Sequence, residues 1–290
     1  MKPAPFDYHR PGSVTEAVEA LAATGGKVLA GGQSLIPIMS MRLAAPVALV
    51  DINRLPGLDQ VTVDGSGVRI GALVRHRQLE QHAAAHDQNP LLRRALSQVA
   101  HPTIRNRGTT VGSLVHADPA AEMPAVLALL EGSVDVVGQT SGERTIPAAD
   151  FFVGPLESAL GDDDLAVAAT FPSPPPGSGS SWVELARRDG DYAIVGVGAL
   201  VQLVEGAVTS ARVSLISVGL TPVCVDVTQT CSEGPYDRVD WRDAQDVIAS
   251  ALEPEGDIHA SAEYRGHLAR VLSARALRAA LDDAAARVAA

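Results

Sequence analysis

The chain has 290 residues, of which 46% are hydrophobic, 20% charged and 3% aromatic, with a formal net charge of −11. A chain of this length buries roughly 75% of its unfolded surface and needs no disulfide or metal staple, which excludes disorder and small stapled scaffolds. The acidic balance and the scarcity of stacking aromatics disfavour nucleic acid, so a phosphorylated ligand has to be held by local backbone amides.

Ser13-Val14-Thr15-Glu16 reads as a capping box. Val14, Ala17, Val18 and Leu21 continue it as a helical stripe, which Gly25-Gly26 ends. Val28 to Ala30 is predicted as a short strand, Gly31 to Ser34 as a turn, Leu35 to Leu43 as a helix and Val47 to Ile52 as a strand. Residues 1–55 thus form a small β-α-β-like unit.

Val61 to Val63 and Val68 to Ile70 flank Asp64-Gly65-Ser66-Gly67, a hairpin signal. Asn89-Pro90 starts a helix over Leu91 to Val99. His101 to Pro119 is polar and aperiodic, long for a plain connection, and therefore a candidate functional loop. Ala120 to Leu130 reads as an apolar helix, and Val134 to Val137 and Leu165 to Phe171 as strands. These make a second unit over residues 56–172.

Ser173 to Ser181, with three prolines and a Gly/Ser tail, reads as a linker over 173–181. Trp182 to Ala186, Ile194 to Val204 and Val213 to Val218 predict an antiparallel sheet. Trp241 to Ala251 and Ala262 to Ala289 predict alanine-rich helices, giving a third α+β unit over 182–290. Gly196 and Gly198 mimic half a dinucleotide fingerprint, but their place within a strand points to close sheet packing.

Metal chemistry finds little support. Cys224 and Cys231 form no CxxC pair and cannot supply four thiolates. His76, His82 and His86 read as surface positions, and Asp162-Asp163-Asp164 as a solvated turn rather than a calcium loop. The start of the chain has no apolar signal region, and its longest uncharged apolar run, Ala193 to Val201, has nine residues against the ~20 of a membrane span. A cytoplasmic protein is expected.

The Gly31-Gly32 turn lies between a strand and a helix, a place where bare amides and a helix start suit an anion, although such a turn also occurs as a plain chain reversal. Ala30-Gly31-Gly32-Gln33-Ser34-Leu35-Ile36-Pro37, Ile104 to Leu114, His116 to Pro124 and Arg187-Arg188-Asp189-Gly190-Asp191-Tyr192-Ala193 occur in that order. Together these segments resemble the AGGxSLxP, IRNxGTxGGSL, HADPAxExP and RRxGDYA signatures of the FAD-binding medium subunits of molybdenum hydroxylases. Those subunits include the ones in carbon monoxide dehydrogenase, quinoline oxidoreductase and the xanthine dehydrogenases.

The resemblance covers nearly the whole chain. It implies an α+β fold: a two-part FAD-binding domain of the vanillyl-alcohol-oxidase-like type, then a C-terminal α+β domain with an antiparallel sheet. Ala30, Gly31, Gly32, Gln33 and Ser34 would cradle the pyrophosphate of a non-covalent FAD, with donors added by Thr110, Gly112 and Ser113. Glu122 would accept from a ribose hydroxyl, and Tyr192 would lie beside the isoalloxazine and control access to N5.

Glu122 also reads as an ordinary carboxylate at a helix start, Tyr192 as a core aromatic, and Asp118 as a cap for the next helix. Of Arg105 and Arg107, both resembling phosphate clamps, at least one is expected to tie the loop down instead. Val111 stands where the family carries glycine, and its Cβ is expected to hinder the approach of that amide to a phosphate. The implied role is electron transfer. A small subunit with 2Fe–2S clusters would deliver electrons from a large molybdenum-cofactor subunit, in a dimer of heterotrimers. This chain would pass them to an external acceptor, with no catalytic acid–base and no metal ligand of its own. The alternatives are a free-standing FAD-dependent reductase or oxidase of the same fold, and a binding protein that has lost the flavin.

Overall fold

The computed structural model describes residues 1–231 and 235–289. The first unit holds β1 (Asp7–His9), α1 (Val14–Thr24), β2 (Lys27–Leu29), α2 (Leu35–Ser40) and β3 (Ala48–Asp51), with the strands parallel in the order β1-β3-β2. Three residues with no burial alternation form β1, which is why its pattern leaves no mark in the sequence. Ser13 Oγ accepts from the Glu16 amide at 3.1 Å. The Glu16 carboxylate accepts from the Gly12 amide, one residue earlier than a capping box requires. Gly25 ends α1 in the left-handed region at φ 61°.

The second unit begins with the hairpin β4 (Val61–Asp64) and β5 (Gly67–Gly71). Six short helices follow: α3 (His76–Glu80), α4 (Ala83–Gln88), α5 (Pro90–Leu96), α6 (Pro102–Arg105), α7 (Thr110–His116) and α8 (Glu122–Leu129). Then come β6 (Ser133–Gly138), β7 (Gly142–Pro147), α9 (Ala148–Phe151), β8 (Phe152–Gly154), β9 (Glu157–Ser158) and β10 (Asp164–Pro172). The sheet is antiparallel, ordered β4-β5-β10-β6-β7. The aperiodic stretch His101 to Pro119 is therefore not a bare loop. It carries α6 and α7, too short to display a hydrophobic period.

The third unit is the antiparallel sheet β11 (Ser178–Ala186), β12 (Ala193–Val204), β13 (Ala207–Ile216) and β14 (Val223–Asp226), followed by α10 (Arg242–Ser250) and α11 (Ala262–Ala289). The Gly/Ser tail read as linker is the first part of β11. A Cβ at Gly179 would collide with the backbone of Ala280 and Ala284, and Ser181 Oγ donates to Ala276 O at 2.7 Å. Small residues stand there because α11 lies directly on the strand.

One hydrophobic core joins the first two units through Leu21, Val50, Ile70, Leu114, Phe151 and Phe171. A second fills the space between the C-terminal sheet and α11, with Val197, Leu215, Leu272 and Leu277. Burying each such side chain contributes about 1.5–3 kcal/mol before entropy is charged against it. Gly196 and Gly198 do serve close packing, since a Cβ on either would crowd the Trp182 ring. Asp164 corrects the reading of Asp162 to Asp164 as a solvated turn. It is buried, paired with Arg144 at 2.5 Å, and held down to about 2 first by that hydrogen bond.

Candidate functional site

The turn between β2 and α2 stands backbone-to-backbone against the 101–114 segment. A Cβ on Gly31 would fall 2.5 Å from the Arg107 carbonyl oxygen and 2.8 Å from Gly108 Cα. Gly32 is left-handed at φ 70°. Among the described residues, the backbone N–H groups of Gly31, Gly32, Gln33 and Ser34 donate to no protein acceptor. Gln33 turns its side-chain amide back onto Gly31 O at 3.0 Å. Gly31 is buried and Gly32, Gln33 and Ser34 are half-buried, so this row of donors without protein partners is open to a ligand. An anion with several oxygens satisfies them, and a row of bare amides in a turn is a form that binds phosphate.

A hydrogen-bonded strap fixes this turn to the segment facing it. Asn53 Nδ2 donates to Ala30 O at 2.8 Å and Leu29 O at 3.2 Å. Arg75 Nη2 donates to Asn53 Oδ1 at 2.7 Å, and Nη1 to Arg107 O at 2.6 Å. Asp51 accepts from the Asn53 amide at 2.9 Å and from the Tyr8 hydroxyl. Burial works against the Asp51 charge, but the Tyr8 and Asn53 hydrogen bonds hold its carboxyl below the usual range. None of these four residues stands in a motif. Asn53, just after the β3 strand that neighbours the turn, carried the only positional hint.

His76 is buried rather than on the surface. Its Nδ1 lies 3.1 Å from Thr110 Oγ1, and its amide donates to Gly108 O at 2.9 Å. Burial first, and then the Arg105 charge, push the imidazole down to about 4, so it is neutral at pH 7. Arg105 ties the loop down as anticipated for one of the two arginines. It donates to Val99 O and Ala100 O, both at 2.8 Å, and to Glu80 at 3.2 Å.

The residues expected to add donors from this segment divide. Thr110 is fully buried, with its amide on Val74 O and its hydroxyl on His76, so it supports the loop instead of facing a ligand. The Gly112 amide donates to Thr109 Oγ1 at 3.2 Å as part of the α7 cap, whereas the Ser113 hydroxyl has no partner among the described residues. Val111 turns its side chain into the core.

Glu122 opens α8 and is 9% exposed. Burial first, and then the charge of Glu184 on β11, push it up to about 8. Burial pushes Glu184 up to about 7, against the hydrogen bond it accepts from Trp182 Nε1 at 3.0 Å. The two carboxyls thus titrate as a pair that keeps a proton at neutral pH. Both lie above the unfolded value of 4.5 when folded. The protonated pair therefore favours folding below that value, and this contribution is lost as pH rises through about 8. Glu184→Gln is expected to raise Tm at pH 8.5 by roughly 2–4 °C, and to change little at pH 4.5. Thermal unfolding that shows no dependence on Glu184 across this range overturns the pairing.

Asp118 Oδ1 accepts from the Ala120 amide at 2.9 Å, a turn placed ahead of α8 whose cap position is Ala121. Tyr192 is 71% exposed and is no core aromatic. Desolvation, followed by the charges of Asp118 and Glu122, raises its hydroxyl above the usual phenol range. Gly190, at φ 79°, packs on His101, where a Cβ would meet the imidazole ring at 2.5 Å. The third unit's Tyr192 loop therefore rests on the second unit's 101–114 segment. Among the described residues, no group of three or more His, Cys, Asp and Glu is placed to hold a metal ion.

Residues 4–174 match the family model for the FAD binding domain in molybdopterin dehydrogenase, and residues 180–280 that for the CO dehydrogenase flavoprotein C-terminal domain. The chain is 38% identical to the 6-hydroxypseudooxynicotine dehydrogenase complex subunit alpha of Paenarthrobacter nicotinovorans, over 98% of this chain and 97% of that one. Its structure is similar to a chain of carbon monoxide dehydrogenase from Hydrogenophaga pseudoflava, with a TM-score of 0.91 and 33% identity over 98% of this chain and 99% of the other. It is equally similar to a chain of quinoline 2-oxidoreductase from Pseudomonas putida 86, with a TM-score of 0.91 and 31% identity over 98% and 99%.

Proposed function

The chain belongs to the family of FAD-binding subunits of molybdenum hydroxylases, and from that membership we propose that its Gly31–Ser34 turn holds the diphosphate of FAD. The chain is an oxidoreductase subunit that carries FAD and transfers electrons within a multi-subunit enzyme. The observation behind the diphosphate assignment is the row of four amides without acceptors, set on a turn that the facing Arg107 carbonyl keeps free of side chain.

In this reading Ala30, Gly31, Gly32, Gln33 and Ser34 form the cradle, and Gly112 and Ser113 border it. Thr110 acts from behind, through His76. Glu122 meets a ribose hydroxyl, and the proton that the Glu122 and Glu184 carboxyls retain at neutral pH keeps the two near a single charge. Tyr192 stands at the isoalloxazine and governs access to N5. The flavin is held without a covalent bond and supplies the step between one-electron delivery and two-electron transfer.

The organic substrate is oxidised elsewhere, in a large subunit with a molybdenum cofactor. A small subunit with 2Fe–2S clusters hands the electrons on. Two copies of each of the three chains make up the cytoplasmic assembly. No helix among the described residues is long and apolar enough to cross a membrane.

Co-expression with candidate iron–sulfur and molybdenum subunits, followed by stopped-flow mixing, tests the reading. Dithionite is expected to bleach the flavin of the isolated chain, while organic substrates bleach it only in the full assembly. Rapid reduction of the lone chain by an organic substrate would instead make it a free-standing enzyme, and a colourless purified chain would make it a binding protein.

A further inference from the structure

Arg265 lies in the first turn of α11 and is 6% exposed. Neither fact is explained by the helix. A buried guanidinium is expensive, and a cation at a helix N-terminus opposes the macrodipole. The rest of the buried α11 face is mostly alanine and leucine. The donors of Arg265 point elsewhere. Nη1 donates to Ile194 O at 2.5 Å and to Ser217 O at 3.3 Å, while Nη2 donates to Asp257 Oδ2 at 2.7 Å.

Ser217 completes the arrangement. It sits at φ 64°, its hydroxyl donates to Ala193 O at 2.8 Å, and its amide donates to Pro119 O at 2.9 Å. The two carbonyls that follow Tyr192 are thus both gripped, Ala193 by Ser217 and Ile194 by Arg265. The same Ser217 is fastened to the segment that carries Asp118 and Glu122. On its other side the Tyr192 loop is seated by Gly190 on His101. Tyr192 is exposed between two fixed points.

We infer that Arg265 is a positioning residue for flavin electron transfer, acting through Tyr192: it locks the start of β12 against the end of β13 and so sets how the phenol covers the flavin. This rests on the proposed place of Tyr192 beside the isoalloxazine. A phenol against a flavin quenches its fluorescence by electron transfer, and a phenyl ring does not, so the emission of bound FAD reports the phenol's position independently of turnover.

The test is a double-mutant cycle on the FAD-loaded chain, read as emission per bound flavin. Tyr192→Phe is expected to brighten the flavin severalfold. Arg265→Met is expected to brighten it about twofold or more when Tyr192 is present, and to add almost nothing on top of Tyr192→Phe, as a shared pathway requires. Arg265→Lys, which keeps one donor, should recover part of the quenching. Ser217→Ala should brighten in the same direction, and decides the matter if Arg265→Met does not fold. Wild-type emission from folded, FAD-loaded Arg265→Met and Ser217→Ala, with Tyr192→Phe bright, overturns the role of Arg265 and leaves Tyr192 in place. An unchanged Tyr192→Phe removes Tyr192 from the flavin, and the inference with it.

Discussion

Gly31→Val protein is expected to purify with under about a tenth of the wild-type FAD, a loss of at least ~1.4 kcal/mol of binding. The added Cβ would lie 2.5 Å from the Arg107 carbonyl oxygen and 2.8 Å from Gly108 Cα, and neither backbone can give way as a side chain would. The turn would have to move off the facing segment, breaking the register that Asn53 and Arg75 maintain between them. Gly32→Ala should be milder. Its neighbours are the side-chain carbons Leu29 Cδ1 and Ile36 Cγ1, at 3.1 and 3.2 Å, so what remains is the cost of a non-glycine residue at φ 70°, about 1–2 kcal/mol. Flavin-to-protein absorbance ratios and calorimetric titration of apoprotein with FAD would rank the two. Calorimetry of unfolding shows whether the C-terminal domain remains intact. Full FAD content in Gly31→Val would reduce the turn to a structural element without a ligand.

The Gly-rich turn was legible in the sequence because glycine marks backbone demands directly: two adjacent glycines between a strand and a helix imply bare amides and a tight approach. The strap beneath it was not. Arg75 reads as one more surface arginine, and its two acceptors, a carbonyl at Arg107 and an amide oxygen at Asn53, meet only when three separate segments are assembled. His76 misled for a related reason. A histidine at a helix start beside other polar residues looks solvated, and only packing under Gly108 and Thr110 buries it. Glu122 stands in a family signature, but Glu184, whose charge acts on it, comes from another unit and lies in a strand, where one polar residue between Val183 and Leu185 carries no signal. Long elements such as α11 announced themselves by composition. The Ser178–Ser181 tail shows the converse, since a small-residue run has the same appearance in a flexible linker and in a strand lying under a helix.

Val111 separates what the family pattern requires from what this chain requires. Judged by pattern alone, Val111→Gly restores the family's glycine pair and should preserve or tighten FAD binding. The packing of Val111 predicts the opposite outcome. Val111 is 2% exposed on α7 and belongs to the core that joins the first two units, together with Leu114. Removing its side chain empties a packed site and places glycine inside a helix, a combined cost of roughly 2–4 kcal/mol. That is a large share of the 5–15 kcal/mol that keeps a typical protein folded. The damage would fall on α7, whose cap at Thr109 lies beside the Gly108 backbone packed against Gly31. FAD should therefore bind more weakly as the facing segment loses its footing. Val111→Ala keeps the helix propensity and part of the volume, and should fall between glycine and wild type in both Tm and FAD affinity. The two quantities should move together across the series, because one cavity drives both. Tighter FAD binding by Val111→Gly at an unchanged Tm would mean that glycine serves the ligand here after all, and that the valine is tolerated, not used.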